Sequence, residues 1–272
     1  MGLSLLNLEQ LYLNWNSLSG NIPTSITNAS KLTNLAMNAN SFSGSIPMFG
    51  NLRLLQSIRI WGNNLTGAEF PTQELEFLSS LTNCRFLREF DISNNPLNGI
   101  LPSSIGNFSS SFQAFAAYRS SINGVIPQEI GNLSGLLQIT LSRNKLIGSL
   151  PATLGQLKKL QRLYAHTNQL EGFIPHDLCR MSSLGELNLS SNVLVGPIPE
   201  CLGELQYLKI VYLSSNNLSS TVPSSFWNLR DIVRLDLSSN NFSGQLPSQV
   251  GNLEAAPYLI CHLITFLVRF QA

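Results

Sequence analysis

The sequence predicts an α/β repeat solenoid: a superhelix of about ten coils, with a parallel concave β-sheet and with short strands, turns and 3-10 or α helices on the convex side. Three observations carry this prediction. Leucines recur in one register from Leu8 to Leu253. An asparagine follows an L-x-L pair at nearly constant spacing, and a Gly-x-Ile-Pro punctuation follows the asparagine. Self-similarity at a fixed period of this length is the signature of stacked supersecondary units.

The asparagines are Asn16, Asn40, Asn63 and Asn95, then Ser120 standing in, then Asn144, Asn168, Asn192, Asn216 and Asn240. Successive spacings are 24, 23, 32 and 25, then 24 five times. We number the coils one to ten by these residues. A clean unit reads Leu184-x-x-Leu187-x-Leu189-x-x-Asn192-x-Leu194-x-Gly196-x-Ile198-Pro199.

Each position has a physical reason. In Leu187-Asn188-Leu189 apolar residues alternate with a polar one, the period of a half-buried strand. A single coil cannot bury its leucines; stacked coils share one core. The asparagine amide both donates and accepts, so it can satisfy turn backbone buried between coils. The glycine permits positive φ or close backbone approach. The proline fixes φ and removes a donor, which suits an edge or an outer turn. Stacking at ~4.8 Å per strand gives a concave sheet about 45 Å long. The third coil carries about eight extra residues, in which Leu75, Leu78 and Leu81 recur at helical spacing, so a short convex-side helix is expected there. Cys84 beside it reads as a buried lone thiol.

The repeat resembles the plant-type extracellular leucine-rich repeat, which its Gly-x-Ile-Pro part distinguishes from other repeat classes. Three segments are similar to the plant receptor-kinase subfamily that includes the sensors of bacterial flagellin and elongation factor Tu. They are Glu76 to Cys84, Leu101 to Ser109, and Leu178-Cys179 with Ile198-Pro199-Glu200-Cys201. The resemblance implies a plasma-membrane receptor whose ectodomain binds a peptide or microbial ligand together with a leucine-rich-repeat co-receptor, and whose cytoplasmic kinase signals. Other readings are a secreted inhibitor of a cell-wall-degrading enzyme and a non-functional receptor fragment.

The chain departs from such a receptor in several ways. It has no signal-peptide pattern and no run of ~20 apolar residues to span a bilayer. The kinase His-Arg-Asp and Asp-Phe-Gly motifs are absent, and Arg230-Asp231 lacks the preceding histidine. It opens and closes in mid-array, as a segment of a longer product would. We divide it into the solenoid, 1–253, and a segment 254–272 that is either a non-repeat apolar tail from truncation, a degenerate eleventh coil or, least in keeping with its length, a membrane anchor.

Composition narrows function. Charged residues make up 11% of the 272 residues and net charge is +1, so nothing draws the chain to nucleic acid. His166, His176 and His262 show no metal-ligand spacing with each other or with cysteine, and no nucleophile elbow or phosphate loop appears. No catalytic residue, metal or cofactor is expected. A binding surface is. Arg59, Trp61, Tyr118, Arg119, Arg143, Lys145, Arg162, Tyr164 and His166 flank the strand leucines of coils three to seven, with Tyr12, Asn14 and Trp15 in coil one. Exposed Trp, Tyr and Arg are enriched in binding hot spots. Solvated strand faces also carry such residues without binding anything.

Seven N-x-S/T acceptors, at Asn28, Asn64, Asn107, Asn132, Asn188, Asn217 and Asn241, fit a secreted surface, although a repeat rich in Asn and Ser produces them by composition. Cys179 and Cys201 lie 22 residues apart in adjacent coils of period 24. That offset places their Cα atoms within or just beyond the roughly 4.4–6.8 Å a disulfide accepts. A disulfide between the two, tying consecutive coils on the convex side, is expected; the competing reading is two independent small apolar residues packed in the core.

Overall fold

In the computed structural model, which describes residues 6–229, 231–245, 248–252 and 258–260, the L-x-L pairs form one face of a continuous eleven-stranded parallel sheet. Its strands run from Gln10–Tyr12 through Asn34–Ala36, Ser57–Arg59, Glu89–Asp91, Ala114–Ala116, Gln138–Thr140, Arg162–Tyr164, Glu186–Asn188, Ile210–Tyr212 and Arg234–Asp236 to Tyr258–Ile260. The last strand pairs in register with Arg234–Asp236, so the segment after 253 adds an eleventh strand to the ten expected. The remainder of 254–272 lies outside the described residues.

The period sets the packing. In the coil that reads cleanly, Leu184, Leu187, Leu189, Leu194, Ile198 and Leu202 are all buried. Each fully buried leucine contributes ~1.5–3 kcal/mol by leaving water. The ladder asparagines are the polar component of this core. Asn192 donates from Nδ2 to Leu189 O (3.0 Å) and to Ala165 O of the preceding coil (3.1 Å), while its Oδ1 accepts from Leu170 N (3.0 Å). One side chain thus closes its own turn and ties two coils. At Ser120 the hydroxyl reaches only Ile92 O and Tyr118 O.

After the asparagine the chain leaves the concave sheet and builds a second one on the flank. This flank is a three-stranded sheet in coils one to three and a six-stranded sheet from Asn123–Gly124 to Asn241–Ser243; between them Ile100 of coil four makes isolated bridges to Glu74 and to Asn123. The consensus glycine lies there at positive φ with the preceding coil's side chain over it. A Cβ at Gly196 (φ +78) would sit 2.4 Å from the Phe173 ring. The proline heads a 3-10 turn on the convex side: Leu178 N donates to Pro175 O in the turn His176–Arg180, and the same pattern recurs at Pro127, Pro151 and Pro199.

The long third coil forms an α-helix, Glu76–Ser80, continued by a 3-10 turn, Leu81–Asn83. Leu75, Phe77, Leu78 and Leu81 are buried. The sheet passes this insertion in register, Ser57 against Glu89, and Phe77, Phe90, Phe115, Phe112 and Phe108 fill the core beside it as a chain of ring contacts at 5.0–6.3 Å. Cys84 is buried against Phe49 O, and burial pushes its thiol up to about 11.

Cys179 and Cys201 are bonded across coils seven and eight, Cα–Cα 5.6 Å. Cys179→Ala/Cys201→Ala is expected to lose about 2–4 kcal/mol, the range for native bridges closing loops of this size. Urea unfolding of the variant beside the oxidised parent measures it; superimposable curves would mean that the bridge adds nothing.

Candidate functional site

Strand alternation decides which side chains the concave face presents. In Arg162-Leu163-Tyr164 the leucine is buried and its two neighbours face out, and the next outward residue is His166. In-register stacking sets outward residues of successive coils side by side: Gln138, Arg162 and Glu186 in one row, and Thr140, Tyr164 and Asn188 in the next.

Two clusters result. In coils one to four, Trp15 and Trp61 meet edge to face at 5.5 Å across the small residues of coil two. Trp15 is 71% exposed, and it holds a left-handed backbone (φ +58) at a position that is small or polar in most other coils. Beside them Arg59 grips Glu89 through two hydrogen bonds of 2.7 Å, which keep its guanidinium pKa above the ordinary value. Asp91 lies in register with Arg59 and accepts from Ser93 N (2.9 Å). Burial raises its carboxyl pKa; the hydrogen bonds from Ser93 partly offset that.

In coils five to eight, the Arg143 guanidinium lies 5.9 Å above the Tyr118 ring. Arg162 donates to Glu186 and to Gln138 (3.2 Å each), and the Tyr164 hydroxyl donates to the other oxygen of Glu186. His166 is half-buried; burial, then the nearby positive charge of Arg143, lowers its pKa below the ordinary histidine value. The coil-five strand presents the small side chains of Ala114 and Ala116, in register with Glu89 and Asp91 on one side and with Gln138 and Thr140 on the other. An open groove of about 610 Å³ continues along the sheet edge past Arg162, Glu186, Tyr207 and Lys209.

The structure thus brings Arg59 and Trp61 into the first cluster, and Tyr118, Arg143, Arg162, Tyr164 and His166 into the second. It corrects one placement. Lys145 is not on the concave face: Arg143 adopts φ +56, the chain turns there, and Lys145 opens the flank strand Lys145–Ser149. Arg119, exposed at φ +51, holds in coil five the turn position that Arg143 holds in coil six. Sequence reasoning missed the carboxylates. Glu186 follows Arg162 by one period of 24, a usable signal, whereas the insertion stretches Arg59–Glu89 to 30 residues and hides it. These ion pairs are half-exposed and each contributes ~0–1 kcal/mol.

Six of the seven acceptor asparagines are exposed. Asn28, Asn107 and Asn132 end 3-10 turns, and Asn64, Asn217 and Asn241 open flank strands. Asn188 is half-buried on the concave face and accepts from Ser190 N and Oγ. His176, which shows no metal-ligand spacing with the cysteines in the sequence, sits 3.3 Å from Cys201 Sγ, because stacked 3-10 turns bring together residues that are distant in sequence.

Comparison with known proteins agrees with this geometry. A family model described as leucine-rich repeat matches residues 182–242, and a second with the same description matches 7–29 and 86–108. The chain is 40% identical over 119 residues to the receptor kinase-like protein Xa21 of Oryza sativa subsp. japonica, a match covering 43% of this chain and 9% of that protein. Among solved structures, the plant peptide hormone receptor RGFR1 in complex with RGF2 superposes with a TM-score of 0.90 at 36% identity, over 96% of this chain and 41% of the other. The Arabidopsis receptor kinase HAESA, in complex with the peptide hormone IDA and the co-receptor SERK1, superposes with a TM-score of 0.54 at 26% identity, over 96% and 55%. The fold is therefore a leucine-rich-repeat solenoid similar to the ectodomains of plant receptor kinases, which are not the catalytic part of such proteins. The chain spans a small fraction of the curated relative's length and under two thirds of these solved ones.

Proposed function

We propose that the chain is a ligand-recognition segment of a plant receptor-like serine/threonine kinase, working on the extracellular side of the plasma membrane and binding a peptide or microbial pattern on its concave face. The observation that carries the reading is the second cluster: Tyr118, Arg143, Arg162, Tyr164 and His166 gathered over three consecutive coils, with the two aromatic rings held by a stacked guanidinium and a shared carboxylate. Such aromatic and arginine anchors dominate binding energy when desolvated by a partner. The peptide complexes of the structural neighbours support the same use of the fold, and SERK1 in one of them supports a co-receptor as second partner. Glycans at the exposed acceptors, a role in defence and membership of the flagellin and elongation factor Tu sensor group belong to the same proposal.

Selection of a random peptide display library on the full chain supplies a probe peptide. Tyr164→Ala or Arg143→Ala is expected to weaken that peptide by ~1–2 kcal/mol or more, roughly tenfold in Kd. Isothermal titration reads it. Unchanged affinity in both variants, with loss on substitution of the convex residues Thr153 and Glu200, would overturn the concave assignment.

A further inference from the structure

The turns that carry the Cys179–Cys201 bridge hold a third donor. His176 opens the 3-10 turn His176–Arg180, and Cys179 follows three residues later. A 3-10 turn has three residues per revolution, so side chains at i and i+3 eclipse and share one side. Cys201 is the second residue of the next coil's turn, Glu200–Glu204, stacked directly on the first. One histidine nitrogen and the two sulfurs therefore all lie within 4.8 Å of one another, and His176 Nε2 is 3.3 Å from Cys201 Sγ. His176 is exposed and both cysteines are half-buried, so the cluster opens to solvent on the histidine side. The Asp177 carboxylate pairs with Arg180 at 3.1 Å.

We propose that the reduced form of this seam is a binding site for one thiophilic divalent cation of the zinc type, held by the Cys179 and Cys201 thiolates and the His176 imidazole, with water as fourth ligand. Bridge and metal are then alternative ties between coils seven and eight. Two thiolates with one imidazole select zinc over magnesium or calcium. Tetrahedral zinc holds its sulfurs ~2.3 Å away, hence about 3.8 Å from each other. Rotating the two cysteine side chains apart from the bonded state reaches that separation while the Cα atoms stay near 5.6 Å. The chemistry balances. A dithiol or phosphine reductant gives two electrons to the S–S bond and is itself oxidised, two protons complete the thiols, and the cation displaces those two protons as it binds a neutral imidazole.

The test uses the full chain as Cys84→Ser/Cys261→Ser, so that only the bridging thiols remain, with folding checked by circular dichroism. It is reduced with a phosphine and titrated with Co2+ as the spectroscopic probe, then with Zn2+. One equivalent of Co2+ with a sulfur-to-metal charge-transfer band, displaced by Zn2+ and absent from the oxidised chain, is the expected result. His176→Ala should weaken Co2+ at least tenfold, and Cys179→Ser should abolish the band. A reduced chain that takes up no cobalt, whether or not it stays folded, overturns the proposal. So does a His176→Ala variant that binds as tightly as its parent, since two thiols alone then account for the uptake.

Discussion

Replacing Asn216 by alanine is expected to destabilise the chain by on the order of 3 kcal/mol, far beyond the effect of an ordinary surface substitution. Asn216 is buried, and its amide serves two coils. Nδ2 donates to Leu189 O and Leu213 O at 3.0 Å each, and Oδ1 accepts from Leu194 N at 3.1 Å. The carbonyls fare better than the amide when the side chain goes. Leu189 O keeps Asn192 as a donor and Leu213 O keeps Asn240. Leu194 N–H loses the acceptor that Asn216 supplies and is left buried, which costs ~1–3 kcal/mol by itself before the cavity and the weakened carbonyls are added. Asn216→Ser should fall between parent and alanine, because the hydroxyl of Ser120 shows that serine can reach two of the carbonyls. Asn216→Asp should be no better than alanine, since it points a carboxylate at carbonyl oxygens. Thermal unfolding ranks the three, and hydrogen exchange at the Leu194 amide locates the damage. An alanine variant within ~0.5 kcal/mol of the parent, the usual spread for surface changes, would remove the ladder from the account of stability.

Gly155→Ala is the second large effect, at about 3 kcal/mol, the upper end of what overpacking costs. The reason is steric and lies between coils. A Cβ on Gly155 would stand 2.2 Å from the carbonyl oxygen of Asp177 in the next convex turn, and that atom is backbone, unable to swing aside. Gly106 and Gly131 stand in the same relation to Glu129 and Thr153, each at 2.4 Å. Gly185 is the matched control: its added methyl would meet carbonyl oxygens only at 3.4 and 3.6 Å, ordinary contact, so Gly185→Ala should be close to neutral. Equal melting temperatures for the two variants would show that the turns can slide apart freely.

Those two predictions mark what the sequence makes legible. Leu187, Leu189 and Asn192 are readable because each repeats every 24 residues and each obeys a one-coil rule of burial or turn closure. The role of Gly155 is not, because nothing within its own coil demands glycine; the clash is with the coil that follows. The same holds on the concave face. Tyr164 and Arg162 are placed correctly by strand alternation, while Lys145 is misplaced by extending that alternation through the left-handed turn at Arg143. His176 joins Cys201 only through 3-10 periodicity and stacking together, neither of which a spacing of 25 residues advertises.

The two sheets also differ in continuity, and that sets how the molecule carries load. The inner ladder runs unbroken through eleven strands, whereas the flank ladder is interrupted at coil four, where the isolated bridges Glu74–Ile100 and Ile100–Asn123 and the hydrogen bonds of Gly67 N and Ala68 N to Leu97 O stand in place of a strand. A beam tied evenly along one side and weakly at one point on the other is most compliant at that point. The two clusters of the concave face fall on either side of this line, Trp15, Trp61 and Arg59 before it and Tyr118, Arg143 and Tyr164 after it. A partner spanning both would cross the array at the coil where the flank ladder is interrupted while the inner ladder is not.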